Sequence, residues 1–218
     1  EKYEEAIAIF QKYLNLNKTE KLKTNEQIEI CKVASKEKLQ NSVRLVNLIT
    51  LNSPASDFSF SKIKNQAYFS SAKKENISDP TDNWNNDGYT DIYTATINTD
   101  TTFENGQKLD KIINGNFHDA EPTFNSAGNE MYFTRCGVAK GKHPKCQVYS
   151  TVKRGQTWDE PAILPFCKDS FSYGHPALSK DEKIMIFSSD LKDSLNPGYG
   201  GLDLYYVTFD PKTKTWSK

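Results

Sequence analysis

Neither an excess of one charge nor a long apolar run is found in this sequence of 218 residues. Lys plus Arg and Asp plus Glu number 28 each, so the chain has no overall field that would attract nucleic acid or an anionic membrane surface. No segment approaches the roughly 20 apolar residues that a membrane-spanning helix requires. We therefore expect no nucleic acid among the partners and no membrane span in the chain.

Cysteine is scarce, and its four copies include no CxxC pair, so we expect no zinc site. Cys136 and Cys146 enclose a polar loop, and the segments on both sides of the loop have the composition of strands. A disulfide that closes this hairpin would imply an oxidising compartment, whereas two free thiols on neighbouring strands are the alternative. From the residues, both alternatives stay open.

The motifs of common hydrolases are also missing. There is no G-x-S-x-G elbow and no H-E-x-x-H helix, and the histidines His118, His143 and His175 are dispersed without an evident serine or cysteine partner. The segment VKRGQTW resembles the Asp-box of propeller sialidases but has Lys153 where the aspartate belongs. We expect a protein that is not an enzyme, with a sialidase-type hydrolase as the enzymatic alternative, and we assign no cofactor and no metal.

What the sequence does contain changes its period after the first forty or so residues. Residues 1–41 have the spacing of two helices, which indicates a tetratricopeptide-like segment, with an ordinary helical hairpin as the alternative. Thr24 and Gln27 fit a capping box that would open the second helix. The apolar face of the first helix offers an alternative partner-binding surface, which consists of Tyr3, Ile7 and Phe10.

Residues 57–218 have the short strands and polar turns of a β domain, and residues 42–56 form the predicted linker strand before it. Three repeats follow one another in this region, and each has four predicted strands, as a β-propeller blade has. The predicted fold is mainly β with an N-terminal α-helical hairpin and a partial β-propeller. Its three four-stranded antiparallel blades are expected at 57–113, 118–168 and 172–218.

The repeats share a pattern of apolar positions more than they share particular side chains. In the alignment Phe60 coincides with Phe124 and Leu178, and every repeat has a tyrosine at an equivalent place in its third strand. The stacking of one sheet on the next preserves such a pattern, because stacking constrains the burial of a position more than its identity. Each repeat then has an aromatic residue for a fourth strand, namely Phe103, Trp158 and Trp216.

The alignment also places three polar residues at the start of the first strands: Asp57, Glu121 and His175. If these strands line a central channel, the three side chains lie at its rim and could bind the backbone or an ammonium group of a protein partner. The alternative is that they cap the loops before their strands. A hard cation would prefer the carboxylates over the imidazole, and we assign no metal to the three.

The segments PTFNSAGNEMYFTRC, HPALSKDEKIMIFSSD and GYGGLDLYYV resemble the TolB-type, WD-like propeller repeats of Bacteroidetes envelope proteins. The helices followed by VRLVNLITLNSPASDFSFS resemble that family's junction between a tetratricopeptide segment and the propeller. Such proteins typically continue into a β-sandwich and an OmpA-like domain that binds peptidoglycan, and the architecture occurs in type IX secretion. The resemblance implies about six blades in all, of which this sequence contains three.

The resemblance also implies a location and a role. The family's loop with paired cysteines matches CGVAKGKHPKC, which implies a disulfide between Cys136 and Cys146 and a periplasmic address. The implied role is a non-catalytic docking segment of an outer-membrane-associated envelope complex, with components of the secretion machinery as partners. A structural spacer of an OmpA-like, peptidoglycan-anchoring protein is the alternative. Because the chain begins with EKYEEA and not with Met, we interpret it as part of a longer protein, so the lack of a leader says nothing of its compartment.

Overall fold

The computed structural model describes residues 2–17, 21–36, 45–77, 79, 81–82, 86–138, 145–192 and 197–217. Two helices are followed by strands in this part of the chain, so the protein is mainly β with helices at its N-terminus. The chain divides into two compact units, Glu1–Val46 and Asn47–Lys218. None of the described helices is both long and apolar enough to cross a membrane.

The first unit contains helices α1 (Tyr3–Leu16) and α2 (Lys21–Lys36), which pack against each other. No residue of α1 is fully buried, so this helix contributes one half-buried face to the pair. The predicted capping box is wrong, because α2 begins at Lys21 and Thr24 is a buried residue inside the helix. Ile28 is buried as well, as expected for an inward-facing position of α2.

The predicted linker strand at 42–56 is absent from its described part, residues 45–56. A turn forms there, in which the amide of Leu51 donates a hydrogen bond to the carbonyl of Leu48 over 2.8 Å. Leu51 is buried and Leu48 is half-buried beside it, in a cluster with residues of the first sheet. The alternation of apolar residues therefore serves the packing of a turn. Residues 37–44, where the helical segment was predicted to end, lie outside the described residues.

The strands form three antiparallel sheets, in which strands that are consecutive in the sequence pair with each other. The first sheet contains β1 (Asp57–Ile63), β2 (Gln66–Ser71), β3 (Asp91–Thr99) and β4 (Thr102–Lys108). The second contains β5 (His118–Phe124), β6 (Glu130–Val138), β7 (Lys145–Arg154), β8 (Thr157–Trp158) and β9 (Ala162–Ile163). The third contains β10 (Tyr173–Leu178), β11 (Ile184–Ser189), β12 (Asp203–Asp210) and β13 (Thr215–Trp216). This arrangement is consistent with a propeller-like β fold.

The second sheet has five strands where four were predicted, because its outer edge is divided. The short strand β8 pairs with the end of β7 at Lys153, whereas β9 pairs with the middle of β7 at Tyr149. Pro161 lies between β8 and β9. Since proline has no amide hydrogen, it cannot continue the ladder, and the outer edge is interrupted there.

The cores lie between the sheets. Neighbouring residues of a strand serve opposite faces, so Phe133 belongs to the cluster shared with the first sheet and Tyr132 to the cluster shared with the third. The ring of Tyr132 meets Trp216 of the third sheet edge-on, with the ring centroids 5.9 Å apart. Trp216 and its two predicted counterparts in the fourth strands, Phe103 and Trp158, are all buried.

The ladders show that the predicted alignment of the first repeat is wrong by two positions over β1. Tyr68 and Tyr132 are equivalent in the second strands, and they pair with Ser61 and Thr123 respectively. Ser61 is therefore the counterpart of Thr123 in the first strands, whereas the predicted alignment assigned that place to Ser59.

A shorter hairpin turn causes this difference. Residues 64–65 join β1 to β2, whereas the longer segment 125–129 joins β5 to β6. An alignment without a gap in this turn displaces β1 relative to β5. Lys62, and not Phe60, is thus the structural counterpart of Phe124.

Candidate partner-binding site

The first strands β1, β5 and β10 are the edge strands of their sheets, and β5 lies beside both of the others. Each has a bulge, where its register with the second strand shifts. The first residue of each bulge has a left-handed backbone, with φ of 57° at Ser59, 61° at Glu121 and 55° at His175. Residues other than glycine seldom adopt this conformation, so its recurrence at equivalent positions marks a feature of the repeat.

Asp57 does not belong to this set, because Ser59 occupies the equivalent position in β1. The carboxylate of Asp57 accepts hydrogen bonds from the amide of Ser53 over 2.5 Å and from the hydroxyl of Ser53 over 2.9 Å. Asp57 thus closes the loop before its strand, which is the capping role that the sequence left open. The predicted rim of three equivalent charged or ionisable residues is therefore corrected to Ser59, Glu121 and His175.

Glu121 and His175 meet across the boundary between the second and third sheets. Glu121 Oε1 lies 2.9 Å from His175 Nε2. Glu121 Oε2 accepts hydrogen bonds from the hydroxyl of Thr134 over 2.8 Å and from the amide of His175 over 3.1 Å. The side chain of Glu121 is 17% exposed and that of His175 is 61% exposed. The carboxylate is therefore held at the sheet boundary, while the imidazole remains accessible.

A hydroxyl group near the end of each second strand holds the bulge of the following sheet. Ser70 Oγ accepts a hydrogen bond from the amide of Glu121 over 2.9 Å, and Thr134 Oγ1 accepts one from the amide of His175 over 3.0 Å. These bonds satisfy amides that the bulge removes from the ladder. The sequence contains the corresponding signal, a hydroxyl residue after the shared phenylalanine, but the spacing alone does not reveal its partner in the next sheet.

A pocket of about 340 Å³ opens along the three bulges. The buried residues Pro122 and Pro176 contribute to its wall. Within the described part of the chain, the hydroxyls of Ser59 and Thr123 make no hydrogen bond, so they are available to a ligand. The polar groups around the pocket belong to Ser59, Ser61, Glu121, Thr123 and His175.

His175 also contacts a serine, which the sequence did not lead us to expect. His175 Nδ1 lies 2.5 Å from Ser188 Oγ, so Ser188, His175 and Glu121 form a series of hydroxyl, imidazole and carboxylate. In a serine protease triad Nε2 faces the serine and Nδ1 faces the carboxylate, whereas the two ring nitrogens are exchanged here. Ser188 Oγ can also donate a hydrogen bond to the carbonyl of Gly174, 3.3 Å away.

The other histidines lie apart from the pocket or outside the described residues. His118 Nδ1 accepts a hydrogen bond from the amide of Thr90 over 3.2 Å, and its Nε2 lies 3.7 Å from Asp82 Oδ2. These contacts connect the segment before β3 to β5. His143 falls outside the described residues. Among the residues that the structure describes, no group of three or more His, Cys, Asp or Glu side chains could hold a metal ion.

A buried ion pair supports β5 close to Glu121. Arg135 Nε lies 2.5 Å from Asp119 Oδ1, and Arg135 Nη2 donates to the carbonyl of Ile113 over 2.7 Å. The amide of Gly115 donates to Asp119 Oδ2 over 2.9 Å. Burial raises the pKa of Asp119 to about 6, against the lowering influence of Arg135. The pair therefore joins β5 and β6 to the segment that enters the second sheet.

Cys136 and Cys146 face each other in the ladder between β6 and β7 and are joined by a disulfide. The loop that they enclose includes residues 139–144, which lie outside the described residues. Cys31 and Cys167 are free. Burial raises the pKa of the Cys167 thiol to about 12, so this thiol is protonated and unreactive at neutral pH.

The predicted helical surface of Tyr3, Ile7 and Phe10 is half-buried within the helical unit. A different side of α1 exposes its apolar side chains more fully. This exposed stripe follows the spacing of one helix face and consists of Ile9, Tyr13 and Leu16.

No protein-family model matches the chain, and no curated protein matches it. Among solved structures, it is similar to an alpha-L-arabinofuranosidase from Lactobacillus brevis, with 13% sequence identity and a TM-score of 0.41. The match covers 76% of this chain and 57% of the arabinofuranosidase chain. A likeness of this size carries no conclusion about activity.

Proposed function

We propose that the protein is a non-catalytic docking module, in which the three sheets are blades of a partial β-propeller and the pocket along their first strands binds an extended segment of a protein partner. The observation that carries this proposal is one bulge that recurs in three adjacent edge strands. A bulge redirects side chains and ends strand pairing. Both effects suit a surface that binds another chain without merging it into the sheets.

The chemistry of the pocket suits a polypeptide ligand. Glu121 can accept from amide or ammonium groups, while His175 and the free hydroxyls of Ser59 and Thr123 can bond to carbonyl oxygens. A hydrogen bond to a charged group contributes about 1.5–3 kcal/mol, so a few such contacts in one pocket give useful affinity.

We further propose a periplasmic location within an outer-membrane-associated envelope complex, with components of type IX secretion as partners. The Cys136–Cys146 disulfide supports an oxidising compartment, and the resemblance to Bacteroidetes envelope repeats supports the complex. A structural spacer is the competing interpretation. It differs from a docking module because a spacer would have no localised partner footprint.

A hydrolase is the second candidate function, because Ser188, His175 and Glu121 form a series of nucleophile, base and carboxylate. In such a reaction Ser188 Oγ would attack an acyl carbon and His175 Nδ1 would accept its proton. The bulge amides of Glu121 and His175 already bond to Ser70 and Thr134, so they do not supply an oxyanion hole. Labelling by a fluorophosphonate in the wild type, lost in Ser188→Ala, would favour the hydrolase, and an unlabelled wild type would favour docking.

Partner capture from envelope extracts tests the docking proposal. The wild-type protein, the double variant Glu121→Ala/His175→Ala and the control Asp57→Ala are immobilised, and the recovered proteins are quantified. We expect the double variant to lose the partners that the wild type retains. Asp57→Ala should retain them, because Asp57 caps a loop outside the pocket. Circular dichroism and thermal unfolding establish that each variant is folded.

Two outcomes would contradict the docking proposal. Unchanged recovery in the double variant would move the partner site away from the pocket, and the exposed stripe of α1 would then be tested with Ile9→Asp/Leu16→Asp. Loss of capture in Asp57→Ala alone would instead support the loop before β1 as the site.

A further inference from the structure

The third sheet leaves open a face that the first two sheets bury. Met185 and Phe187 of β11 point into the cluster shared with the second sheet. The alternating residues of β11 and β12 point the other way, where no described residues cover them. We call this surface the open face, and its apolar residues are Ile184, Ile186, Leu204 and Tyr206.

Positions equivalent to the open face are core positions elsewhere in the chain. By the register of the ladders, Ile186 corresponds to Tyr132 of the second sheet and Leu204 corresponds to Val148. Ile186 and Leu204 are 47% and 81% exposed, whereas Tyr132 and Val148 are 3% and 0% exposed. The first sheet repeats the buried pattern with Tyr68 and Ile92.

A polar group on the third sheet supports the same conclusion. Ser188 is the third member of the hydroxyl series that begins with Ser70 and Thr134. The first two hydroxyls accept a bulge amide from the following sheet. Ser188 bonds only within its own sheet, to His175 Nδ1 and to the carbonyl of Gly174. The acceptor for a following sheet is therefore present, together with the apolar face that would pack on it.

We infer that the open face is the docking surface for a further antiparallel sheet of the same repeat. Such a sheet would pack its apolar side on Ile186 and Leu204 and direct its own bulge amide to Ser188 Oγ. The two sheet boundaries inside the chain already specify this contact, since stacked repeats use one interface repeatedly. This inference does not depend on the pocket or on its partner.

A second copy of the chain does not offer this surface. In a head-to-tail contact it would have to present the outward side of its first sheet, and Leu48 and Leu51 already cover that side. Two open faces packed on each other would bring together apolar residues but no bulge amide for Ser188. We therefore commit to a sheet of the repeat as the occupant.

The test adds one more repeat to the full chain, by fusing a second copy of residues 172–218 after Lys218. If the open face accepts a sheet, the extended chain unfolds in one cooperative transition at higher urea than the original. The slope of that transition should also rise with the surface that unfolding exposes. Binding of a dye specific for exposed apolar surface should fall relative to the sum expected for an undocked repeat.

Substitutions in the two copies of the repeat provide matched controls. Leu204→Lys in the original repeat should abolish the gain in urea midpoint, whereas the same change in the added repeat should leave it, because only the original face is then covered. Ser188→Ala in the original repeat should reduce the gain. Separate unfolding of the added repeat, or a gain that survives Leu204→Lys in the original repeat, would overturn the inference. A dimer of the unextended chain that Leu204→Lys dissociates would overturn it in favour of a second copy.

Discussion

Glu121 and His175 occupy the same position in successive repeats and are bonded to each other, with Glu121 Oε1 2.9 Å from His175 Nε2. Equivalent residues of a repeat usually make equivalent contacts with their own surroundings. Here their left-handed backbones turn the two side chains towards a common boundary between the sheets. The contact thus depends on the bulge in each strand and on the difference in residue type between the repeats.

The first prediction concerns the strength of this pair. Because the imidazole is largely exposed, we expect a coupling free energy of only about 0.5–1 kcal/mol between Glu121→Gln and His175→Ala in a double-mutant cycle. Urea unfolding of the wild type, the two single variants and the double variant measures it. A coupling of several kcal/mol would mean that the pair is buried in solution and closed to a partner.

The second prediction concerns Gly128 in the turn between β5 and β6. Its φ is +72°, and a Cβ atom there would collide with Cγ2 of Ile63 in the first sheet. Gly128→Ala should therefore destabilise the protein by more than the about 1–2 kcal/mol that a left-handed backbone alone costs an L-residue. Gly155→Ala is the matched control, because Gly155 has φ of +64° and no atom within 4 Å of its added Cβ. Equal losses in the two variants would show that the contact with Ile63 is absent.

The third prediction concerns the disulfide. Cys136→Ser/Cys146→Ser should lower the free energy of unfolding by about 2–3 kcal/mol, because the bond limits the freedom of the unfolded chain over a loop of about ten residues. Reducing agent should shift the urea midpoint of the wild type towards that of the double variant and leave the double variant unchanged. Two free thiols in peptide maps of oxidised, unreduced protein would contradict the prediction.

The fourth prediction concerns pH and the buried pair of Asp119 and Arg135. Since the pKa of Asp119 is raised from 3.8 to about 6, folding favours its protonated form. Its contribution to stability is fully present below pH 3.8 and declines as the pH rises through about 6. The free energy of unfolding of the wild type relative to Asp119→Asn should therefore fall across this window. A carboxyl group that titrates below pH 3.8 in NMR spectra would reverse the sign.

Much of the fold could be predicted from the sequence, because burial leaves a periodic trace. The change of period after the helices, the antiparallel strands and the buried aromatics Phe103, Trp158 and Trp216 all follow from alternation and composition. The length of the turn at 64–65 could not be predicted, since the shared aromatic pattern aligns equally smoothly without a gap. That gap decides whether Asp57 or Ser59 is the counterpart of Glu121.

The candidate site was predicted only in part for a related reason. Glu121 and His175 were found because they precede the same proline in two repeats. Their contact with each other and with Ser188 depends on a left-handed backbone, and no residue type at these positions announces one. Charged or hydroxyl side chains in place of glycine hide a bulge from sequence inspection. The hydroxyls of Ser70 and Thr134 look like ordinary strand residues until the neighbouring sheet is in place.

Site-specific photocrosslinking in intact cells tests the central claim, that the bulge pocket binds a protein partner, most directly. A photoreactive amino acid is placed at Thr123 in the pocket, at Ile9 on the exposed stripe of α1, and at Lys180 on the exposed turn between β10 and β11. Our account predicts a discrete crosslinked partner from Thr123, lost when Glu121→Ala/His175→Ala is introduced, and none from Lys180. Crosslinks from Ile9 alone, or no discrete partner from any of the three positions, would contradict it.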